Sequence, residues 1–365
     1  MTSDWKITNH TRTSRRQSRC KEWGLPHNLK HRPVIEVIYQ KGLYLPELDL
    51  WLDPRSPKPR AFISHAHADH VARHSSTICS EVTARLLRDR FRISAERTDA
   101  HPFHSSFNDK NFRITLLPAG HIAGSAMIHI TRLSDQASLL YTGDFKNRTS
   151  RTAEPIAFAQ ADTLIMETTF GLPRHRFPET SEVENEILRF VRESFAQNKN
   201  PVLLGYSLGK SQEALALMHE HDIPTLLHPA AASMTRSCIA AGTPQLPEPL
   251  EFDGHAPEGH VIIAPPHVMR SKKLLGLKAK RTAMLSGWAL QPGAKFRYGV
   301  DEVIPFSDHA DHPGLMHCIE SVRPKRVITI HGYTREFAAE LRALGLEAWS
   351  AHGNDQLEFH FNRKS

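Results

Sequence analysis

Apolar runs bounded by turn-forming residues recur along the chain and predict a protein built from both strands and helices. Short runs rich in leucine and β-branched residues favour strands, and they lie at residues 34–39, 48–52, 112–117, 139–145, 162–171, 201–204 and 261–264. Apolar residues at helical spacing predict helices over 82–91 and 182–197. Ser181, with Glu184 three residues on, is the expected N-terminal cap of the second helix. Residues 207–211 lead into a further expected helix, which continues through His219.

Length and composition place the chain among ordinary globular proteins. Its 365 residues predict two domains, or one large domain with an insertion, and 40% hydrophobic with 23% charged residues supports a sizeable core. The formal net charge of +7 favours a polyanionic partner, with a merely soluble basic surface as the alternative.

Cysteine spacing and hydropathy indicate the compartment. The four cysteines lie far apart without a Cys-x-x-Cys pair, so neither a zinc knuckle nor a disulfide framework is indicated. No apolar run approaches the ~18 residues of a membrane span, and no signal sequence is evident. We therefore expect a cytoplasmic protein without a membrane anchor.

The N-terminal segment differs from the rest of the chain. Residues 1–33 are polar and basic with little periodicity, which predicts a flexible basic arm. A plain disordered tail and an arm that contacts nucleic-acid phosphates are both compatible with this composition.

The segment Ser64-His65-Ala66-His67-Ala68-Asp69-His70 concentrates metal-binding side chains directly after an apolar run. In an extended segment alternate side chains share a face, so His65 and His67 point the same way. If a helix opens near Asp69, then Asp69 and His70 turn toward a second nearby point. Imidazole and carboxylate suit zinc and its neighbours, so two adjacent metal sites are predicted.

Other candidate residues lie where predicted strands end. His121 follows a strand and is flanked by Gly120 and Gly124, which let the backbone approach a site closely. Asp144 ends another apolar strand, and its carboxylate can use both oxygens to bridge two cations. Asp53 closes a strand before Pro54, either as a turn residue or as support for the metal ligands.

These motifs resemble a known superfamily. The pattern H-x-H-x-D-H at 65–70, after a buried strand, resembles the metallo-β-lactamase superfamily, in which this loop joins a strand to a helix and supplies ligands to two metals. The segment 167–171, reading ETTFG, resembles the β-CASP branch, whose members cleave DNA or RNA. FSDHADH at 306–312 and ITIHG at 328–332 resemble the two later histidine motifs of that branch.

Within the branch, four segments are most similar to the bacterial ligase-associated DNA exonucleases: FGLPRHRFP, GYSLGKSQEALAL, SGWAL and FSDHADHPGL. The resemblance implies a four-layer αβ/βα sandwich formed by residues 34–170 and 306–365, with a smaller inserted α/β cap, the β-CASP domain, at 171–305. It also implies DNA as substrate, and a DNA ligase and a helicase as partners.

The resemblance assigns roles to individual residues. It implies that one metal ion is held by His65, His67 and His121, the other by Asp69, His70 and His331, with Asp144 as the bridge. Zinc is the expected metal, and manganese tolerates the same ligands. Glu167 and His309 are the expected acid–base partners, and Asp53 braces the metal loop.

Other features leave alternatives open. His312 produces a second H-x-D-H pattern, but position 307 is Ser, so the metals are assigned to the first cluster. Ser207 and Lys210 either contact a substrate phosphate or simply cap a helix. Residues 205–211 are one residue short of a P-loop. The basic, helix-like run 269–281 either follows a phosphate backbone or is a solvated face.

Three functions therefore compete. The leading hypothesis is a metal-dependent DNA exonuclease acting in repair. The second is an RNA-processing nuclease that uses the same motifs, and the third is a nucleic-acid-binding protein with a degenerate site.

Overall fold

A computed structural model describes residues 34–40, 42–244 and 246–351 of the chain. The predicted arm at residues 1–33 lies outside the described residues. Among those described, no helix has the length and apolar character needed to cross a membrane. Cys79, Cys238 and Cys318 are buried free thiols.

The described residues form nineteen strands and eight α-helices. The strands of the first half are β1 (Ile38–Tyr39), β2 (Leu43–Leu45), β3 (Leu50–Leu52), β4 (Arg60–Phe62), β5 (Ser76–Ser80), β6 (Thr98–His101), β7 (Ser106–Asp109), β8 (Phe112–Pro118), β9 (Ala126–Arg132), β10 (Ser138–Tyr141) and β11 (Thr163–Thr168). The later strands are β12 (Asn200–Leu204), β13 (Thr225–Leu227), β14 (Leu250–Glu251), β15 (Val261–Ala264), β16 (Lys280–Leu285), β17 (Glu302–Ile304), β18 (Arg326–Gly332) and β19 (Glu347–Ser350). The helices are α1 (Glu81–Phe91), α2 (Thr180–Ala196), α3 (Lys210–Glu220), α4 (Pro229–Ala240), α5 (Lys272–Gly276), α6 (Ala294–Tyr298), α7 (His312–Val322) and α8 (Thr334–Ala343).

Two sheets pack face to face. The first sheet has the order β1-β2-β3-β4-β5-β6, and the second has the order β19-β18-β11-β10-β9-β8-β7. Leu52, Phe62 and Ile78 from the first sheet share one buried cluster with Ile114 and Ile128 from the second. The apolar faces that the sequence pattern predicted for these strands therefore meet between the sheets.

Helices cover the outer faces of both sheets. Leu86 and Leu87 of α1 pack on Ile63 and Cys79 at the first sheet, within one cluster. Apolar residues of α7 and α8 pack against β11, β18 and neighbouring strands of the second sheet. The order helix, sheet, sheet, helix confirms the predicted four-layer sandwich.

A third sheet is built only from the middle of the chain. Its order is β14-β13-β15-β12-β16-β17, and every neighbouring pair is parallel. Helices α2, α3 and α4 bury apolar side chains against one face of it. We propose that this sheet and its helices form the cap expected for residues 171–305.

Several local predictions differ from the structure. The chain turns after Pro46, and Asp49 adopts a left-handed φ of 52°, so the strand predicted at 48–52 begins only at Leu50. Helix α2 begins earlier than predicted, because Glu179 rather than Ser181 is its cap and Glu182 completes the capping box. The capping box therefore lies two residues before the position that the sequence predicted.

The basic run 269–281 is not one helix. Ser271 caps the short α5, which ends at Gly276, and Lys280 and Arg281 already pair with β12 as the start of β16. Sheet pairing thus separates cations that a continuous helix would have placed along one side.

Candidate metal centre

Strand ends bring the candidate residues together. The loop with His65, His67 and His70 follows β4, His121 follows β8, and Asp144 follows β10. Glu167 lies in β11 and His331 in β18, two neighbouring parallel strands inside the second sheet. Because the ends of neighbouring strands share one edge, residues far apart in sequence meet there.

Three imidazoles form the first group. The ligand atoms of His65, His67 and His121 lie within 4.8 Å of one another. Nε2 of His121 is 3.1 Å from Nδ1 of His67. The structure thus places together the three histidines that were predicted to hold one ion.

One carboxylate oxygen lies among the imidazoles. Oδ2 of Asp144 is 3.3 Å from Nε2 of His70 and 3.7 Å from Nε2 of His65. It is 4.0 Å from Nε2 of His121. A carboxylate that faces three imidazoles in this way is positioned to bridge two cations.

Each imidazole uses its other ring nitrogen to contact the protein. These contacts are His65 Nδ1 with Ser64 Oγ at 2.9 Å, His67 Nε2 with the Leu208 carbonyl at 3.1 Å, His121 Nδ1 with the Asp308 carbonyl at 2.7 Å, and His70 Nδ1 with Asp53 Oδ2 at 3.1 Å. Such contacts fix the ring orientation, and they are typical of metal-binding histidines.

Electrostatics also favour metal binding. Burial lowers the pKa of His67 to about 4 and that of His121 to about 3, and it holds the pKa of His65 well below its usual range. The rings are therefore neutral at pH 7 and can offer lone pairs. Nε2 of His65 is buried and has no hydrogen-bond partner among the described residues. A buried ring nitrogen without a partner beside a carboxylate fits a divalent cation.

Asp53 supports the metal loop from behind. Its carboxylate accepts hydrogen bonds from the Ser64 amide at 2.7 Å, the Ser64 hydroxyl at 2.6 Å and the Tyr141 hydroxyl at 2.7 Å, besides the contact with His70. Against the effect of burial, Asp144 and Asp53 raise the pKa of His70 well above its usual range. These contacts occupy the Asp53 carboxylate, which therefore positions the ligands.

Asp69 and His331 lie at the edge of the centre. No helix opens near Asp69, contrary to expectation; the chain makes a turn closed by the His70 amide and the His67 carbonyl at 3.1 Å, then runs without helix to β5. The exposed Asp69 carboxylate is 3.7 Å from Nε2 of His70. The His331 ring centroid is 5.6 Å from that of His70. Both are thus adjacent to His70 but outside the tightest groups of ligand atoms.

Glu167 and His309 form a pair beside the centre. Nδ1 of His309 is 2.9 Å and 3.1 Å from the two oxygens of the fully buried Glu167, which also accepts a hydrogen bond from the Phe145 amide. Although burial opposes it, Glu167, helped by Asp144 and Asp308, raises the pKa of His309 to about 9. The His309 ring also comes within 4.8 Å of the ligand atoms of His121 and Asp144.

The second H-x-D-H pattern has structural partners. Asp311 caps α7 through the Gly314 amide at 3.0 Å and pairs with Arg148 at 2.9 Å. Nε2 of His312 contacts Glu340 at 2.9 Å. The side chains of Asp311 and His312 are thus used to hold α7 in place.

The groups at the start of α3 that could bind a phosphate are largely engaged by other protein groups. Gly209 has a φ of 91°, and a Cβ there would lie 2.5 Å from Ile122, so only glycine fits. Its amide donates to the Gln212 side chain at 2.7 Å. The Lys210 ammonium forms a buried ion pair with Asp308, while Ser207 is partly exposed.

Two residues of this site were not singled out from the sequence. Asp308 holds His121 through its carbonyl, and its Oδ2 is buried without a hydrogen-bond partner in the described part of the chain. Against the effect of burial, Lys210 holds the pKa of Asp308 well below its usual range. Tyr206 is 59% exposed, and its ring centroid is 6.1 Å from that of His67. Asp308 and Tyr206 both lie inside motifs already noted from the sequence. Neither belongs to a metal-ligand pattern, so only their position in the structure, next to the candidate ligands, identifies them as part of the site.

Comparisons with known proteins agree with this geometry. Residues 293–352 match the family model described as Zn-dependent metallo-hydrolase RNA specificity domain. A probable DNA ligase from Opitutus terrae is 46% identical over 88% of this chain and 32% of its own length. The DNA cross-link repair protein SNM1 of Arabidopsis thaliana is 27% identical over 73% of this chain and 60% of its own length.

A third relative is matched over most of both chains. An RNase J-like protein from Methanocaldococcus jannaschii is 25% identical over 82% of this chain and 89% of its own length. By contrast, the chain spans only about a third of the Opitutus protein, as the 32% coverage shows.

Divalent metal ions suit the ligand groups, and the matching family model is of a zinc-dependent hydrolase. The four-layer fold, the order of the histidine and aspartate motifs, and these relatives agree with one another. Together they indicate the β-CASP branch of the metallo-β-lactamase superfamily, which the sequence motifs resemble.

Proposed function

We propose that this protein is a metal-dependent phosphodiesterase that cleaves nucleic acid, with DNA as its substrate. The observation that carries the proposal is the joint arrangement of four buried or half-buried imidazoles around Asp144 with the His309–Glu167 pair beside them. A metal centre with an adjacent proton donor is the combination that phosphodiester cleavage requires.

The proposed ligand assignment follows the sequence motifs and the neighbours of His70. One ion would be held by His65, His67 and His121, and the other by Asp69, His70 and His331, with Asp144 shared between them. Zinc is the proposed metal, with manganese as the alternative. When bound, two such cations lower the pKa of water toward neutrality and stabilise the attacking and leaving oxygens at phosphorus.

The chain's own residues supply the proton. The Glu167 carboxylate fixes Nδ1 of His309, so Nε2 is the ring nitrogen left to donate to the leaving oxygen. Asp53 keeps His70 and the backbone of Ser64 in place by the hydrogen bonds described above. In this arrangement His309 donates the proton, Glu167 orients the His309 ring, and Asp53 braces the metal-binding loop.

The relatives support DNA as the substrate class. The probable DNA ligase matches most of this chain at 46% identity, and the Arabidopsis relative is named for DNA cross-link repair. We infer an exonuclease that acts in DNA repair in the cytoplasm alongside a DNA ligase; a helicase partner remains a prediction from the family resemblance. The RNase J-like relative and the family model's RNA specificity description favour an RNA-processing nuclease as the alternative.

End-labelled DNA and RNA strands of matched sequence, incubated with zinc, manganese or magnesium, test the proposal. We expect DNA to be shortened progressively from one end in the presence of zinc or manganese. Asp144→Ala serves as the inactive control. Faster cleavage of RNA would establish the alternative, and binding without any product under all metals would indicate a degenerate site.

A further inference from the structure

One aromatic side chain is unusually exposed. Phe296 lies in the middle of α6 and is 86% exposed. Its chain neighbours Lys295 and Arg297 are exposed cations. A large exposed apolar ring between two positive charges is chemically suited to a partner that is both aromatic and anionic.

Helix α6 is anchored close to the candidate site. The Tyr298 hydroxyl is 3.3 Å from the hydroxyl of Ser286, which precedes the turn carrying Trp288. The Trp288 ring centroid is 4.6 Å from that of Phe170, and the Phe170 centroid is 6.2 Å from that of His309. Trp288 and Phe170 thus form a row of rings that reaches His309, and the Tyr298–Ser286 contact connects α6 to the segment that carries Trp288.

A second exposed ring lies at the metal centre itself. Tyr206 is 59% exposed and packs edge-to-face near His67, with the Lys210 ammonium 4.8 Å from its ring centroid. Tyr298 of α6 is one of the titratable side chains close enough to act on the Tyr206 hydroxyl, together with Asp308 and Asp69. Tyr206 therefore lies on the α6 side of the centre.

We propose that Tyr206 and Phe296 form a base-stacking surface for a single-stranded nucleic-acid end, with Lys295 and Arg297 contacting its phosphates. Bases within a duplex have both faces covered by their neighbours, whereas unpaired bases expose a face that an aromatic side chain can stack on. The inference rests on the proposed nuclease function and assigns it a substrate form, a single-stranded end.

Steady-state cleavage of a single-stranded oligonucleotide by the metal-loaded protein tests the surface. Stacking contributes about 1–3 kcal/mol per base, which corresponds to about 5- to 150-fold in affinity. Phe296→Ala should therefore raise KM by about that factor and leave kcat nearly unchanged, and Phe296→Trp should restore KM. Leu344→Ala, which removes an exposed apolar side chain from the end of α8, is the matched control and should behave as the parent.

A fluorescent base reports stacking directly. An oligonucleotide with 2-aminopurine near its end should lose fluorescence on mixing with the parent protein in stopped flow. Tyr206→Leu and Phe296→Ala should each weaken that quenching, whereas Tyr206→Phe should retain it.

The outcomes distinguish failure of the proposed stacking surface from failure of the proposed nuclease function. An unchanged KM for Phe296→Ala, or an equal rise for Leu344→Ala, would overturn the stacking surface while cleavage by the parent still supports the nuclease. Undiminished quenching in both aromatic variants would overturn it as well. If the parent cleaves no nucleic acid with any metal, it is the proposed function that fails.

Discussion

At the residue scale, one carboxylate oxygen of Asp144 faces three imidazole rings of the site. Although burial acts in the opposite direction, His70, His309 and His65 hold the pKa of this carboxyl well below its usual range. The lowered pKa favours the anionic form of Asp144, which is the form that binds cations.

Asp144→Ala should abolish cleavage and lower the metal content of the purified protein. Removing the shared carboxylate leaves two cations unscreened from each other, so the loss of metal affinity should exceed the roughly 10- to 100-fold typical of losing a group that only supports a ligand. Metal analysis of parent and variant measures this. Glu258→Ala, at an exposed acid in the predicted cap, is the control. Two tightly held ions and full activity in Asp144→Ala would show that this residue is not the bridge.

His309→Ala should reduce turnover by roughly 10²- to 10⁴-fold, the usual effect of losing a general acid, while metal content stays at the parent level. A substrate with an activated leaving group needs little proton donation, and the variant should cleave it nearly as fast as the parent does. Rates on both substrates, with metal analysis, measure the effect. Equal losses on the two substrates would leave His309 with a positioning role, and loss of metal would make it a ligand.

At the scale of elements, buried charges connect the predicted cap to the sandwich. Glu213 of α3 is buried and accepts hydrogen bonds from the Thr152 amide at 2.7 Å and the Ser150 hydroxyl, in the loop that follows β10. The Lys210–Asp308 ion pair links the start of the same helix to the segment before α7. Sequence spacing shows neither connection, because the partners are 61 and 98 residues apart.

Glu213→Gln should destabilise the protein in a pH-dependent way. Against the effect of burial, Lys146, Ser150 and Thr152 lower the pKa of Glu213 in the folded state. A lowered folded pKa adds stability above the unfolded value of about 4.3, and this contribution is lost as pH falls toward the folded pKa. We expect a loss of about 1.5–3 kcal/mol at pH 7, as for hydrogen bonds to a charged group, and a smaller difference below about pH 4.

Denaturant unfolding of parent and Glu213→Gln at pH 7 and at lower pH measures this difference. Glu258→Gln changes an exposed acid in the same way and should have little effect at either pH. A difference between parent and Glu213→Gln that does not change with pH would contradict a charged Glu213.

At the scale of the whole molecule, the net charge of +7 should make nucleic-acid binding salt-dependent. Each phosphate contact on a single strand releases counterions, so log K should fall linearly with log salt by about 0.7 per contact. Titrations of a labelled single strand across a range of sodium chloride concentrations measure the slope. Lys295→Ala should reduce it by about one contact, whereas the uncharged change Phe296→Ala should leave it unchanged. Affinity independent of salt would argue against a phosphate-tracking surface.

Local patterns in the sequence determined much of this protein. The apolar spacing predicted α1 and the strands β3, β8, β12 and β15 to within two residues, because side chains at helical or alternating positions select their own local geometry. The H-x-H-x-D-H segment and the acids and histidines at strand ends identified the candidate ligands, because few residue types bind divalent cations. The resemblance of these motifs to the metallo-β-lactamase superfamily implied the four-layer fold.

Tertiary structure decided which candidates meet and what each one contacts. It paired His309 with Glu167 across 142 positions, attached the Lys210 ammonium to Asp308, and left Asp69 and His331 at the edge beside His70. It also replaced the expected helix after Asp69 with a turn and divided the basic run between α5 and β16. Such outcomes depend on strand pairing and burial between distant segments, and these long-range contacts set the orientation and the pKa of a side chain that local spacing alone leaves open.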